Sequence, residues 1–188
     1  MNPARVLPLL AAAAATLALL AGGLTLAGSG EAAPPASLER PKAVALASTS
    51  TSFEKQVLKL VNKARASKRR CGATTYPAAK PVKWNAKLAL AAERHSRDMS
   101  ANDYFSHTGS TGSSPFGRIE ATGYRYKAAG ETLAAGYTTP SAVVKGWLKS
   151  PGHCKILMTK SYTQVGIGYY KGGGTYRHYT TANFAKPR

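Results

Sequence analysis

The spacing of apolar residues changes partway along this chain, and that change limits the folds it can adopt. Over residues 52–66 and 85–101, apolar side chains recur at the three- and four-residue steps of amphipathic helices. Residues 164–170 and 175–184 are instead rich in β-branched and aromatic side chains, and a glycine-rich tetrapeptide separates them, which predicts an antiparallel hairpin. Helices followed by strands predict an α+β layer fold, with helices packed against an antiparallel sheet.

Local signals predict where the helices begin and end. A capping box at Thr51 predicts the start of the first helix. Ser114 and Thr139 are each followed by proline, which predicts a short third helix and a longer fourth one. The fourth helix is expected to end at Ser150-Pro151-Gly152, and residues 71–82 are predicted to be a loop.

The first 27 residues are typical of a secretory signal peptide. A short basic start, an apolar run and small residues predict cleavage after Ala27. An uncleaved membrane anchor is the alternative, because about 20 apolar residues can span a bilayer. Residues 28–51 are rich in Ala, Pro, Ser and Thr, which predicts a disordered linker. The folded domain is therefore expected over residues 52–188, in a secreted protein that is extracellular or in the cell envelope.

The chain is strongly basic, with 26 Lys and Arg against 8 Asp and Glu and a formal net charge of +18. Such a field attracts anionic polymers, including those of a cell envelope, without selecting among them. No nucleic-acid-binding motif accompanies the charge, so no dedicated nucleic-acid partner is expected. The densest basic run, residues 63–70, is predicted to be a solvated helix end, where cations suit the helix dipole.

Two cysteines, Cys71 and Cys154, predict one disulfide bond in an exported protein. Two free thiols are the alternative.

The candidates for chemistry are four histidines and one carboxylate. His95 lies on the apolar stripe of the second helix, which favours a buried neutral imidazole. His178 has a mid-strand position that is compatible with solvent. His107 and His153 are predicted in loops just beyond helices, where functional sites tend to lie. Glu131 is an isolated carboxylate in a long basic segment, although an ion pair with one of many Lys or Arg would explain it.

Two histidines and one carboxylate could bind a divalent metal if the fold brings His107, Glu131 and His153 together. Their positions form no local ligand motif. A second hypothesis makes Ser106 or Ser150 a nucleophile, with a histidine as base and Glu131 orienting it. The G-x-S-x-G pattern that often accompanies such a serine is absent.

Four segments of the chain resemble a known family in their order and spacing. They are AAERHSRDMSANDYFSHTG, GETLAAGY, VVKGWLKSPGHC and QVGIGYY. Together they resemble the CAP superfamily of cysteine-rich secretory, antigen 5 and pathogenesis-related 1 proteins, in its small bacterial, SCP-like extracellular branch. The resemblance extends from about residue 53 to 184. It implies a three-layer α-β-α sandwich with a central antiparallel sheet and a surface cleft.

The resemblance also implies a site. Members commonly carry two histidines and two glutamates in the cleft, and some bind a divalent metal there. The matching residues here are His107, Glu131 and His153, whereas the second glutamate falls on Ser150. With one carboxylate fewer, we expect weaker affinity for zinc or calcium.

Three further residues are expected to line the same cleft: Ser106, Thr132 and Ser150. Thr132 replaces the asparagine that relatives carry after the glutamate. The resemblance further implies that the Cys71–Cys154 bond ties the chain beside His153 to the end of the first helix.

Three functions follow as hypotheses. The first is a secreted binding module whose metal-capable cleft takes a lipid or another apolar ligand, and it is favoured over an enzyme. The second is a metal-assisted or serine hydrolase. The third is an envelope-adhesion protein that binds through its charge. We expect a monomer.

Overall fold

The computed structural model describes residues 51–188. Its elements in chain order are α1 (Ser52–Arg65), β1 (Arg69–Cys71), β2 (Thr74–Tyr76), β3 (Lys83–Trp84), α2 (Ala86–Ala101), α3 (Pro115–Glu120), β4 (Tyr126–Ala135), α4 (Pro140–Lys149), α5 (Pro151–Met158), β5 (Gln164–Lys171) and β6 (His178–Pro187). The predicted signal peptide (1–27) and the predicted linker (28–51), apart from Thr51, lie outside the described residues.

Four strands form the central sheet in the order β3-β5-β6-β4. Strands β5, β6 and β4 pair antiparallel, and the two-residue strand β3 pairs parallel with β5 at one edge. Helix α2 covers one face of the sheet, and helices α1, α4 and α5 form the layer on the other. This arrangement confirms the predicted α+β class and the three-layer sandwich. Strands β1 and β2 form a separate small hairpin.

Helix α2 lies directly on the backbone of β5. Side chains of a strand alternate between the two faces of a sheet, and Gly166 and Gly168 point toward α2. A Cβ added to Gly166 would lie 1.9 Å from the backbone nitrogen of Ala89, and one added to Gly168 would lie 2.1 Å from that of Glu93. Only glycine therefore fits at these two positions.

The opposite face of the sheet carries the larger apolar core. Val165 and Ile167 of β5 pack with Phe184 and Trp147, and all four side chains are buried. The indole nitrogen of Trp147 donates to the backbone oxygen of Leu133 at 2.9 Å, which satisfies its only polar group.

Arg65, the last residue of α1, is fully buried. Its guanidinium donates to the backbone oxygens of Lys80 (2.9 Å), Leu157, Thr159 (3.2 Å) and Tyr162 (3.1 Å). Two of these carbonyls belong to the C-terminal end of α5, where a helix leaves its last carbonyls without partners. Burial lowers the pKa of Arg65. The expectation of a solvated helix end is therefore wrong for this residue.

The predicted disulfide is confirmed. Cys71 at the end of β1 is bonded to Cys154 in α5, with the two Cα atoms 5.5 Å apart.

Three segments differ from the sequence-based expectation. Helix α4 ends at Lys149 with Ser150 as its C-cap, as predicted, but Pro151 then begins a further helix, α5, that was not predicted, because proline is well tolerated in the first helical turn. His153 therefore lies on a helix and not in a loop. Strand β4 was not predicted, because its sequence YKAAGETLAA is rich in Ala and Gly. The predicted loop over residues 71–82 contains strand β2.

Candidate binding cleft

Glu131 on β4 is the centre of a buried polar network, with its side chain 2% exposed. Nδ1 of His107 donates to Oε1 at 2.8 Å, and Nη2 of Arg118 donates to Oε1 at 3.1 Å and to Oε2 at 2.9 Å. With its amide nitrogen turned toward Glu131, Asn183 donates to Oε2 at 3.2 Å while its oxygen accepts from the backbone nitrogen of Ala92 at 3.3 Å. Arg118 thus supplies the positive charge that a buried carboxylate requires.

Arg118, on α3, also fixes the loop that carries His107. Its Nη2 donates to the backbone oxygen of His107 at 2.9 Å, and its Nη1 donates to that of Ser113 at 2.8 Å. The imidazole of His107 is half exposed. Because Nδ1 of this ring is committed to Glu131, Nε2 is the nitrogen left for a ligand.

A second carboxylate, Asp98 on α2, holds the same loop. The hydroxyl of Tyr104 donates to Asp98, and Ser110 donates to it from Oγ (2.6 Å) and from the backbone nitrogen (3.0 Å). Burial alone would raise the pKa of Asp98, but these hydrogen bonds outweigh burial and lower the pKa. Burial and the nearby Asp98 carboxylate raise the pKa of Tyr104, so its hydroxyl remains a donor.

Two of the four histidines, His95 and His178, are hydrogen-bonded to other groups within the fold. His95 is fully buried, and its Nε2 donates to the backbone oxygen of Ser106 at 2.9 Å, while Nδ1 has no hydrogen-bond partner in the described part of the chain. Burial lowers the pKa of His95, which favours the neutral ring. Nδ1 of His178 is hydrogen-bonded to the hydroxyl of Tyr169 at 2.6 Å, so this histidine is not simply solvated.

An open cleft of about 300 Å³ lies beside His153. Its lining comprises aromatic, small and polar side chains: Phe105, Leu133, Ala134, Ala135, Tyr137, Gly146, Trp147, Ser150, His153 and Tyr176. Burial lowers the pKa of His153, and the nearby His107 lowers it further. No Lys, Arg, Asp or Glu lines the cleft, so its surface is uncharged when His153 is neutral.

Three exposed aromatic rings stand at this cleft. Phe105, Tyr137 and Tyr176 are 44%, 40% and 45% exposed, and the rings of Phe105 and Tyr176 have centroids 5.8 Å apart. Sequence reasoning missed them. The available signal was an aromatic residue in a polar loop, outside any helical or strand period, as in DYFSHTG.

The three residues expected to line the cleft have different positions. Ser150 lines it, at the junction of α4 and α5. Thr132 is instead fully buried, with a hydroxyl that has no partner among the described residues. The exposed Ser106 lies outside the lining, and its hydroxyl accepts from the backbone nitrogen of Thr108 at 3.1 Å.

The sequence matches the model of the cysteine-rich secretory protein (CAP) family over residues 58–184. The chain belongs to the CAP family. This CAP domain is 35% identical over 140 residues to the uncharacterized protein YkwD of Bacillus subtilis (strain 168), an alignment that covers 74% of this chain and 51% of YkwD. It is 36% identical over 152 residues to the uncharacterized membrane protein YlbC of the same organism, covering 79% of this chain and 40% of YlbC. The chain therefore spans about half or less of these curated relatives.

Solved structures share the fold. An extracellular SCP-domain protein from Bacillus anthracis matches with a TM-score of 0.58 at 29% identity, covering 71% of this chain and 40% of that one. An outer surface protein of Borrelia burgdorferi matches with a TM-score of 0.60 at 19% identity, covering 74% and 97%. Within residues 51–188, no helix is long and apolar enough to cross a membrane.

The residues of this CAP domain do not fit the three-ligand metal site that the resemblance implies. No group of three or more His, Cys, Asp or Glu side chains in the described part of the chain is placed to hold a metal ion. Glu131 already accepts from the Arg118 guanidinium with both oxygens. A cation that approached this carboxylate would have to compete with a fixed positive charge.

Proposed function

We propose that this CAP domain is an exported, non-enzymatic binding module whose cleft takes an uncharged, largely apolar ligand. The single observation that carries the proposal is the set of three exposed aromatic rings at one uncharged cleft, Phe105, Tyr137 and Tyr176. Large apolar side chains that gather around a concavity mark a binding site more often than scattered ones do.

The polar groups of the cleft suit such a ligand. His153 and Ser150 lie in its wall, and the lowered pKa of His153 keeps its ring neutral near pH 7. A neutral imidazole and a hydroxyl can each donate one hydrogen bond and also accept from a ligand. A volume of about 300 Å³ is at the lower end of the range for small-molecule pockets. We therefore infer a small ligand, or one apolar end of a larger molecule.

Hydrolysis is less well supported. In the described part of the chain, no serine hydroxyl is hydrogen-bonded to a histidine ring, the contact that activates a serine nucleophile. A serine-reactive probe tests this alternative. Covalent labelling that is lost on Ser150→Ala would replace binding by catalysis as the proposed function.

Export of the protein is part of the proposal. The signal-peptide pattern of residues 1–27 and the Cys71–Cys154 disulfide both suit an oxidising compartment outside the cytoplasm. The Bacillus anthracis relative is described as extracellular.

The binding proposal is tested with Nile red, a neutral apolar dye whose fluorescence rises in apolar surroundings. Phe105→Ala removes one ring of the cleft, whereas Phe116→Ala removes a ring that is equally exposed, at 46%, but lies outside the cleft. We expect Phe105→Ala to weaken dye binding about tenfold, the effect of losing roughly 1.5 kcal/mol of apolar contact. Phe116→Ala is expected to change it less than about twofold.

Two results would contradict the proposal: equal weakening by both substitutions, or the absence of saturable binding to the wild type. Thermal unfolding of both variants checks that each retains the fold.

Binding of zinc or calcium by His107, Glu131 and His153 stays a prediction from the resemblance, and the Arg118 contact argues against it. Calorimetric titration of zinc into the wild type and Glu131→Gln tests it. We expect no binding that depends on Glu131. One zinc ion per chain, lost in both Glu131→Gln and His107→Ala, would restore the metal site.

A further inference from the structure

The layer formed by α1, α4 and α5 has an unusual charge balance. Its basic side chains are Lys55, Lys59, Lys63, Arg65, Lys145, Lys149 and Lys155. The one carboxylate in these three helices is Glu54, which is buried and accepts from the backbone nitrogens of Thr51 (2.7 Å) and Tyr169 (3.1 Å). The exposed lysines of this layer therefore have no exposed acidic residue on their own helices to neutralise them.

The lysines of α1 and α4 are arranged in rows. Lys55, Lys59 and Lys63 follow one another at four-residue steps on α1, and Lys145 and Lys149 do so on α4. Four residues of helix rise about 6 Å, so each row repeats its charge at that interval. Like charges at this spacing destabilise a helix. The rows therefore oppose the fold rather than support it.

A groove runs between the two helices. Two adjoining cavities of about 440 and 470 Å³ share Leu60 and Ser141 in their linings. Apolar residues contributed by both helices form the floor: Leu60, Ala64, Pro140, Val144 and Leu148. The cationic residues of the lining are Lys59, Lys63, Arg69 and Lys145, and no Asp or Glu lines either cavity. A concave surface with one sign of charge concentrates the field and attracts the opposite charge.

We propose that the α1/α4 groove binds a linear polyanion, a polymer whose phosphate or carboxylate groups recur along an extended carbon-containing backbone. The recurring lysines match recurring anions, and the apolar floor accepts the backbone between them. A ligand with a single anionic group would use only one of the cations. A flat bilayer would meet the lysines but would not reach the floor, because Leu60 and Leu148 are only partly exposed.

This proposal is independent of the cleft. The cleft lining contains no Lys or Arg, and the two linings share no residue. Failure of either proposal leaves the other in place.

The experiment measures binding of long-chain poly-L-glutamate, a linear polycarboxylate with a carbon-containing backbone, to the full, oxidised chain over a range of salt concentrations. The groove variant is Lys59→Gln/Lys63→Gln/Lys145→Gln. The control variant, Lys127→Gln/Lys171→Gln/Lys186→Gln, removes the same charge from exposed positions outside the groove.

We expect the groove variant to bind poly-L-glutamate at least about tenfold more weakly than the wild type. Its slope of log affinity against log salt should fall by about 2 to 3, since each lost contact removes about 0.7 to 0.9. The control variant should lose less than about threefold. The groove variant should also be at least as heat-stable as the wild type, because like-charge repulsion within α1 is relieved.

Three results would overturn the proposal. Equal weakening by both variants would assign binding to the overall charge rather than to the groove. Saturable, groove-dependent binding of dodecanoate without binding of poly-L-glutamate would make the ligand a single amphiphile. Binding to anionic phospholipid vesicles without binding to soluble poly-L-glutamate would make the partner a membrane.

Discussion

The two helical layers of this sandwich meet the same sheet in different ways. Helix α2 touches the backbone of β5, because Gly166 and Gly168 present no side chains to it. The layer of α1, α4 and α5 rests on large side chains and is further held by Arg65 and by the Cys71–Cys154 bond. The α2 layer thus depends on close fit, and the other layer on cross-links that join segments distant in sequence.

The acidic residues are also distributed unequally between the two sides of the sheet. Asp98 on α2, together with Glu131 on β4, is hydrogen-bonded to the loop that carries His107. The α1/α4 groove has no carboxylate in its lining. One side of the molecule therefore uses its charges to position an uncharged cleft, and the other exposes its charges to solvent.

The largest expected effect on the contrast between the two layers comes from substituting Gly166, where α2 contacts the backbone of β5. Gly166→Val would place a side chain against the backbone of Ala89, which cannot move without displacing α2. We expect a destabilisation above about 3 kcal/mol, beyond the usual range for overpacking, and loss of cooperative thermal unfolding by circular dichroism. The control lies in the other layer, where a Cβ added to Gly152 of α5 meets nothing within 4 Å.

Gly152→Ala should leave the fold intact and stabilise it by about 0.5 to 1 kcal/mol, because alanine restricts the unfolded chain more than glycine does. A stable Gly166→Val variant would show that α2 does not need the close contact with β5.

The second test removes the cross-link of the basic layer. Cys71→Ala/Cys154→Ala opens a loop of 83 residues, which in the chain-entropy model lowers the free energy of unfolding by about 4 to 5 kcal/mol. Urea unfolding of the variant, beside the reduced wild type, measures the loss. We also expect amide exchange to accelerate first in α5, where Cys154 lies, and later in α2.

A loss below about 1 kcal/mol, or equal acceleration of exchange in both helices, would contradict this division of roles.

The sequence identified the elements whose local signals agree with their packing. Helices α1, α2 and α4 have both a cap and an apolar stripe, and β5 and β6 have β-forming residues around a glycine turn. Strand β4 has weak strand propensity and forms through its pairing with β6 along nearly its whole length. Local patterns contain no such tertiary information.

The site was predictable only in part. Glu131 was recognised as an isolated carboxylate that needs a reason, and the structure gives Arg118 as its ion-pair partner. The chain has 26 Lys and Arg residues, and nothing in the sequence distinguishes Arg118 from the rest of them. The aromatic cleft was missed because its three exposed rings come from separate loops that meet only in the fold.

The smallest expected effect is a pH dependence of stability. His95 in the α2 layer and His153 in α5 of the opposite layer should contribute to it unequally. Burial lowers the pKa of both imidazoles below the unfolded value of about 6.5. A group whose pKa is lowered by folding stabilises the native state above its unfolded pKa, and this contribution is lost as the pH falls toward the folded value. Wild-type stability should therefore decrease between pH 7 and pH 5.

His95 should account for more of this decrease than His153, because it is fully buried in α2 whereas His153 is half-buried at the cleft. His95→Gln retains an N–H donor for the backbone oxygen of Ser106 and cannot become charged. Urea unfolding at pH 7 and pH 5 should show the decrease reduced by at most about 2 kcal/mol in His95→Gln, the limit set by an unfolded pKa of 6.5. His153→Gln should reduce it less. The reverse order would place the acid-sensitive group at the cleft, and ligand binding there should then depend on pH over the same interval.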